Sequence, residues 1–167
     1  MKKYLILLFA ALSFSLTGCE ETDIEPGGTA VEKMAGLWNV TWEQQNAQGV
    51  WVDVLGGTVS LNTYNTAANV PTEMWLNEGY LLDTPLKVST DYAARTFQMA
   101  ETVVEVDENA WGAPEIKLTI TDGKILEGAA TTPSGMPADS ILFFVNVEGD
   151  GTYKVAGFRH TGFAEDE

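Results

Sequence analysis

Apolar and polar residues alternate in short runs along most of this chain, a period of two that is typical of half-buried β-strands. Trp38, Val40 and Trp42 alternate with polar neighbours, and aromatic and β-branched residues of this kind favour strands. The same pattern predicts further strands at 50–54, 58–61, 74–76, 80–82, 86–88, 96–99, 102–106, 116–120, 124–128, 140–147 and 152–158. Helical periodicity is confined to 30–35, which predicts one or two turns.

Glycine-containing breaks separate these runs and predict tight turns. Asp122 and Gly123 lie between two strand runs, and an Asp-Gly pair in that position indicates a hairpin. The Gly-Asp-Gly sequence at 149–151 predicts another hairpin. Short strands at regular spacing predict an all-β fold, either a sandwich or a barrel. Because closure removes exposed strand edges, we favour a single antiparallel barrel of about eight strands, with room for side chains or one small ligand.

The start of the chain follows a different pattern. Two lysines precede a short apolar run at 4–12, and small residues follow it, which predicts a secretory signal peptide over residues 1–18. A helix needs about 20 apolar residues to span a bilayer, so the alternative is a buried first helix. The sequence Leu-Thr-Gly-Cys that ends at Cys19 resembles the lipobox of bacterial lipoproteins. The resemblance implies that Cys19 is lipidated and becomes the first mature residue.

The rest of the chain divides into three predicted parts. Residues 19–30 are acidic and then rich in glycine, with one proline, which predicts a flexible tether. Residues 31–164 form the predicted barrel domain, and 165–167 form an acidic, solvated tail. Glu20 and Glu21 resemble the signal that sends Bacteroidota lipoproteins to the outer face of the outer membrane. An anchor that faces the periplasm is the alternative.

The acidic balance of the chain limits its partners. The formal net charge is −15, and it becomes −17 once residues 1–18 are removed, because two lysines and no acid leave with them. Nucleic acid is excluded as a partner, since binding it requires lysine and arginine. Anionic lipid head groups are disfavoured for the same reason. The predicted link to the membrane is therefore the lipid on Cys19, and protein partners stay undefined.

Two ends of the predicted barrel carry a family resemblance. Gly36 and Trp38 begin the first strand, and Arg159 ends the last one. This arrangement resembles lipocalins and related calycin barrels, and it implies that Arg159 packs on Trp38 and closes the barrel, as a planar cation on an indole can. With the segment 153–163, the chain resembles the Bacteroidota lipoproteins known as lipid-binding putative hydrolases. That resemblance covers 31–163 and implies a lipid-binding, lipocalin-like barrel.

Tryptophans supply the candidate ligand-binding residues. Trp42, Trp51, Trp75 and Trp111 are candidates for the wall or rim of a barrel cavity, and Trp111 lies in a turn-rich segment that favours exposure. Core packing is the alternative for each. Aromatic rings pack on lipid tails and on sugar faces alike, so they do not distinguish these ligands.

Catalytic and metal sites are not indicated. His160 is the only histidine, so a Ser-His-Asp site would have to use it, and no serine lies in Gly-x-Ser-x-Gly. Asp107, Glu108, Asn109 and Asp150 offer oxygen ligands for calcium, but they lack EF-hand spacing. One histidine and one cysteine do not make a zinc site. We therefore predict no metal and no cofactor.

Three functions remain, in this order. The first is a membrane-anchored barrel that binds a small apolar or amphipathic ligand, such as a lipid, without catalysis. The second is a filled barrel that serves as a cell-surface interaction or glycan-capture module. The third is a hydrolase that uses His160. A connected apolar pocket of about 300 Å³ or more, the usual range for ligand sites, distinguishes the first function from the second.

Overall fold

The computed structural model describes residues 27–78, 82 and 84–166. The predicted signal peptide, Cys19 and most of the predicted tether lie outside these residues, as do Tyr80 and Leu81 of the strand predicted at 80–82. In the described part of the chain, no helix is long and apolar enough to cross a bilayer.

Nine antiparallel strands build the described chain, and eight of them close into a barrel. They are β1 (Gly36–Gln45), β2 (Trp51–Asp53), β3 (Val59–Asn65), β4 (Glu73–Asn77), β5 (Leu86–Asp91), β6 (Thr96–Glu105), β7 (Glu115–Thr131), β8 (Pro137–Val147) and β9 (Gly151–Arg159). Strands β3 to β9 pair in chain order, and β1 joins β3 to β9. The extra strand β2 pairs with the last residues of β1. The predicted all-β fold and barrel of about eight strands are confirmed.

Helical structure is limited to short turns. A single helical turn, α1 (Glu108–Trp111), lies between β6 and β7, with Asp107 as its N-cap and Gly112 at its end. A 3₁₀ turn at Ala164–Asp166 follows β9. In the predicted turn at 30–35, the Val31 carbonyl accepts hydrogen bonds from two backbone N–H groups downstream.

The hairpin predicted at Asp122 and Gly123 is wrong. Strand β7 runs through both residues, and its pairing with β8 shifts register between Thr121 and Lys124. Asp122 has a φ of 54°, the left-handed value that a tight turn requires, but here it produces a bulge. The Asp-Gly pair therefore produces a local bulge within one long strand instead of a turn between two strands. The hairpin predicted at 149–151 is confirmed, because this segment joins β8 to β9.

The barrel interior is packed along most of its length. Inward positions alternate along most of the barrel strands, as Trp38, Val40 and Trp42 do on β1. Met74 of β4 and Phe143 of β8 are buried in the same core cluster. Full burial of an aliphatic or aromatic side chain contributes about 1.5–3 kcal/mol, so this core is the main source of stability.

One end of the barrel is closed by the turn at 30–35. Arg159 lies over the Trp38 ring, with Cζ 4.5 Å from the ring centroid, and its Nη1 donates to the Ala35 carbonyl at 2.7 Å. Trp38 Nε1 donates to Thr63 Oγ1 at 2.9 Å, and that hydroxyl donates to the Met34 carbonyl. Two strands and the turn are therefore tied together around one indole. We name this the closed end.

Residues after β9 reinforce the closed end. Glu165 is exposed, whereas Asp166, predicted to lie in a solvated tail, is buried. Its carboxylate accepts hydrogen bonds from the Ser134 N–H and the Thr161 hydroxyl, and Asn39 donates to its backbone carbonyl. Burial alone would raise the pKa of this carboxyl, but the hydrogen bonds lower it to about 2. Asp166 therefore stays ionised and holds the chain end against the barrel.

Strands β5 and β6 separate towards the other end. Their described pairing covers only Ser89–Asp91 of β5, whereas β6 continues to Glu105 and bulges between Met99 and Thr102. A cavity of about 540 Å³ lies along this gap, lined in part by Leu86, Met99 and Val103. The barrel wall is therefore incomplete on this side.

Candidate ligand-binding site

A cavity of about 820 Å³ lies at the end of the barrel opposite the closed end. The last residues of β1, β6 and β8 reach it, together with the first residues of β7 and the β8–β9 turn. We name this end the mouth. Its volume lies within the range of about 300–1,000 Å³ that is usual for small-molecule sites. The barrel is therefore packed towards the closed end and has an open cavity at the mouth.

Three aromatic rings connect the mouth with the core. Trp42 is fully buried and packs edge-on against Tyr153, with ring centroids 5.8 Å apart. Tyr153 lines the cavity and meets Trp111 edge-on at 6.3 Å. The Trp42 Nε1 donor is buried with no hydrogen-bond partner among the described residues. The cavity therefore rests on an aromatic floor with one unused buried donor beneath it.

The segment between β2 and β3 forms part of the cavity wall. The Val54 N–H donates to the Trp42 carbonyl at 2.8 Å, which holds the segment against β1. Val54 and Leu55 both line the cavity, and Leu55 also packs against the barrel core. Val103 of β6 and Ile116 of β7 supply further apolar wall. Aliphatic side chains from three separate parts of the chain thus converge on one space.

Acidic side chains share this cavity with the apolar ones. Glu115, Glu148 and Asp150 line it, and Lys117 is the one basic residue among its described lining. Lys117 Nζ lies 3.4 Å from Glu148 Oε2, so its charge is already balanced. The mouth therefore combines an apolar wall with excess negative charge.

Tyr153 stays neutral at physiological pH. Burial raises the pKa of its phenol, and the hydrogen bond that it donates to Asp150, together with the Asp150 charge, raises it further. Gln44 Nε2 also donates to the Asp150 backbone carbonyl at 3.0 Å. The phenol and the β8–β9 turn are therefore fixed with respect to each other, which preorganises this part of the wall.

The structure separates the four candidate tryptophans into two groups. Trp111 lines the mouth and Trp42 lies beneath it. Trp75 lies between the buried Met74 and Leu76 on β4, so it faces outward. Trp51 packs against Phe144 and lies near Lys154 Nζ on the outer wall. Trp51 and Trp75 do not reach the cavity.

The residues predicted to close the barrel lie at the closed end, far from the mouth. A β-carbon on Gly36 would overlap Arg159 Nη1, so a larger residue there would displace the guanidinium. Arg159 Nε also donates to Asp139 at 3.2 Å. Gly36, Trp38 and Arg159 therefore pack together at the closed end and do not line the mouth cavity.

The residues considered for catalysis lie apart from the cavity, whereas Asp150, considered as a calcium ligand, lines it. His160 and Ser60 line a separate depression of about 310 Å³ near the closed end, with Asn39. Asp107 caps α1, where its carboxylate accepts a hydrogen bond from the Asn109 N–H. Within the described residues, no cluster of histidine, cysteine and acidic side chains is arranged to hold a metal ion.

The site contains residues that the sequence pattern did not indicate. Tyr153, Leu55 and Glu115 were not among the predicted candidates. Tyr153 could have been identified from the sequence, because the 149–151 turn places it near one end of the barrel and it alternates with the polar residues Thr152 and Lys154. Leu55 was not, since it lies in an irregular segment.

A closed eight-stranded antiparallel barrel with a cavity at one end and an arginine over the first-strand tryptophan defines a lipocalin-like protein. Comparison with known families supports a narrower assignment. The profile of the family described as "Lipid-binding putative hydrolase" matches residues 23–164, and the chain belongs to that family. No curated protein matches the chain.

Proposed function

We propose that this protein binds a small apolar or amphipathic ligand in the mouth cavity and holds it without chemical conversion. The observation that carries the proposal is the cavity itself, whose apolar wall is formed by Leu55, Val103, Ile116 and Trp111. The lipid-binding description of the family supports the same ligand class. A filled barrel would leave no such space, so the interaction-module alternative is less well supported.

The absence of catalysis is part of the proposal. A serine-type hydrolase would have to use His160, and this residue lies with Ser60 in a depression near the closed end. A ligand in the mouth would be separated from that depression by the packed core around Val40 and Leu61. The geometry therefore favours binding over hydrolysis.

Binding can be tested with a neutral substitution at the mouth. Val103 is 52% exposed and lines both the mouth cavity and the gap between β5 and β6. Val103→Gln removes apolar contact without changing charge, so it should weaken binding of the uncharged probe N-phenyl-1-naphthylamine about tenfold. Fluorescence titration of the purified protein measures this change.

The matched control lies on the outer wall. Leu126 is 46% exposed and lines neither cavity, so Leu126→Gln should leave the dissociation constant unchanged. Equal losses in both variants, or no saturable binding by the unsubstituted protein, would count against the mouth as the binding site.

We further propose that the barrel is anchored to the outer membrane through a lipid on Cys19 and faces the cell exterior. The support is the lipobox-like sequence that ends at Cys19 and the acidic pair Glu20 and Glu21 that follows it. Buried lipid chains contribute about 0.8 kcal/mol per methylene, and two or more chains anchor stably.

The anchor proposal predicts a change of cell fraction. Cys19→Ala should move the protein from the membrane fraction to the soluble fraction, with loss of labelling by radioactive palmitate, whereas Ser15→Ala should change neither. Retention of Cys19→Ala in the membrane would refute the anchor. Protease added to intact cells should digest the unsubstituted protein, and survival until lysis would refute outward orientation alone.

A further inference from the structure

The charge at the mouth carries information about the head group of the ligand. Glu115 and Asp150 line the cavity, and neither takes part in an ion pair within the described residues. Lys117 is held by Glu148. An anionic head in this cavity would meet two uncompensated carboxylates and no available cation, whereas a cationic head would meet two partners.

The aromatic wall favours the same charge. Trp111 and Tyr153 both border the cavity. An ammonium group within about 6 Å of an aromatic face is attracted by the ring quadrupole. Tyr153 remains neutral beside Asp150, so the negative charge at the mouth comes from the carboxylates and not from a phenolate. Two independent features of one cavity, its carboxylates and its rings, therefore act in the same direction.

Charges elsewhere on the barrel do not reverse this preference. Arg159 is paired with Asp139 at the closed end, and Lys154 is paired with Glu43 on the outer wall. Exposed charges separated by more than about 8 Å are largely screened at physiological ionic strength. The lining residues of the mouth therefore determine which head group is preferred.

We propose that the cavity selects amphiphiles with an ammonium head over amphiphiles with an anionic head on the same apolar chain. This inference rests on the proposed binding function. The apolar chain would contact Val103 and Leu55, while the head would lie near Glu115 and Asp150. The physiological ligand would then be an apolar amine and not a fatty acid.

The experiment compares three probes with one chain length. Decyltrimethylammonium, decyl maltoside and decyl sulfate are titrated below their micelle concentrations into the purified protein by calorimetry. At low salt, the cationic probe should bind about tenfold more tightly than the anionic probe, with the maltoside between them. The difference should shrink in 0.5 M NaCl because the attraction is screened.

Variants then assign the preference to the mouth. Glu115 is exposed, so Glu115→Gln should fold normally and reduce the cation-to-anion preference about threefold. Glu165→Gln removes the same charge at the closed end and should leave the preference unchanged. Equal effects of the two variants would overturn the inference.

The neutral probe separates the two proposals. If decyl maltoside binds but decyl sulfate binds as tightly as the cation, the head-group inference is wrong and the proposed function stands. If none of the three probes binds saturably, the proposed function fails, and the inference fails with it.

Discussion

Replacing Trp38 by alanine is expected to lower the free energy of unfolding by about 3–5 kcal/mol, the usual cost of truncating a buried tryptophan. The indole is fully buried, supports the Arg159 guanidinium at 4.5 Å and donates to Thr63. Its removal leaves a cavity and separates the 30–35 turn from two strands. Urea unfolding followed by circular dichroism measures the loss.

A conservative variant separates the contribution of the aromatic ring from that of the Nε1 hydrogen bond. Trp38→Phe keeps an aromatic ring beneath Arg159 but loses the Nε1 donor to Thr63, so it should cost about 1–2 kcal/mol. Phe163→Ala serves as the control, since this aromatic residue is 58% exposed at the same end. A Trp38→Ala loss no larger than that of Phe163→Ala would show that the closed end does not depend on this indole.

Replacing Gly157 by alanine is expected to cost about 3 kcal/mol, the upper part of the range for overpacked sites. A β-carbon there would lie 1.9 Å from the Asn39 carbonyl oxygen and 2.7 Å from Val40 Cα. Both are backbone atoms of β1, and Gly157 is paired directly with Val40 where β1 and β9 close the barrel. The clash can be relieved only if β1 and β9 move apart.

Gly27→Ala provides the matched control, because its added β-carbon has no neighbour within 4 Å and its backbone is not left-handed. Thermal unfolding should show a large drop in melting temperature for Gly157→Ala and no change for Gly27→Ala. Hydrogen exchange should localise the change to β1 and β9. Unchanged protection in these strands would contradict the close approach at Gly157.

The strands follow from the sequence pattern because alternation and turn signals act locally, whereas closure was inferred from the need to remove exposed strand edges. The inward side of β1 could be read directly, since Trp38, Val40 and Trp42 are each followed by a polar residue. The inward side of β4 could not, because Trp75 has apolar residues on both sides. The same is true of Trp51, between Val50 and Val52. Their outward positions depend on strand register, which is a property of the whole barrel.

The mouth was only partly predictable for a related reason. Acidic side chains are numerous in this chain, so no pattern distinguishes Glu115 and Asp150 from solvated acids. They come together because the start of β7, which carries Glu115, and the β8–β9 turn, which carries Asp150, both lie at the mouth of the barrel. At Asp122 the sequence signal for a turn is strong, but the structure does not follow it. Pairing of β7 with both neighbouring strands keeps this segment in the sheet.

The central claim is that ligand is bound at the mouth of the barrel, and photo-crosslinking tests it most directly. A decyl maltoside with a diazirine on its alkyl chain would be irradiated with the protein, and labelled residues identified by mass spectrometry. We expect saturable labelling at Leu55, Val103 and Ile116, displaced by unlabelled decyl maltoside. Labelling confined to the outer wall around Trp51 and Phe144, or not displaced by competitor, would contradict the account.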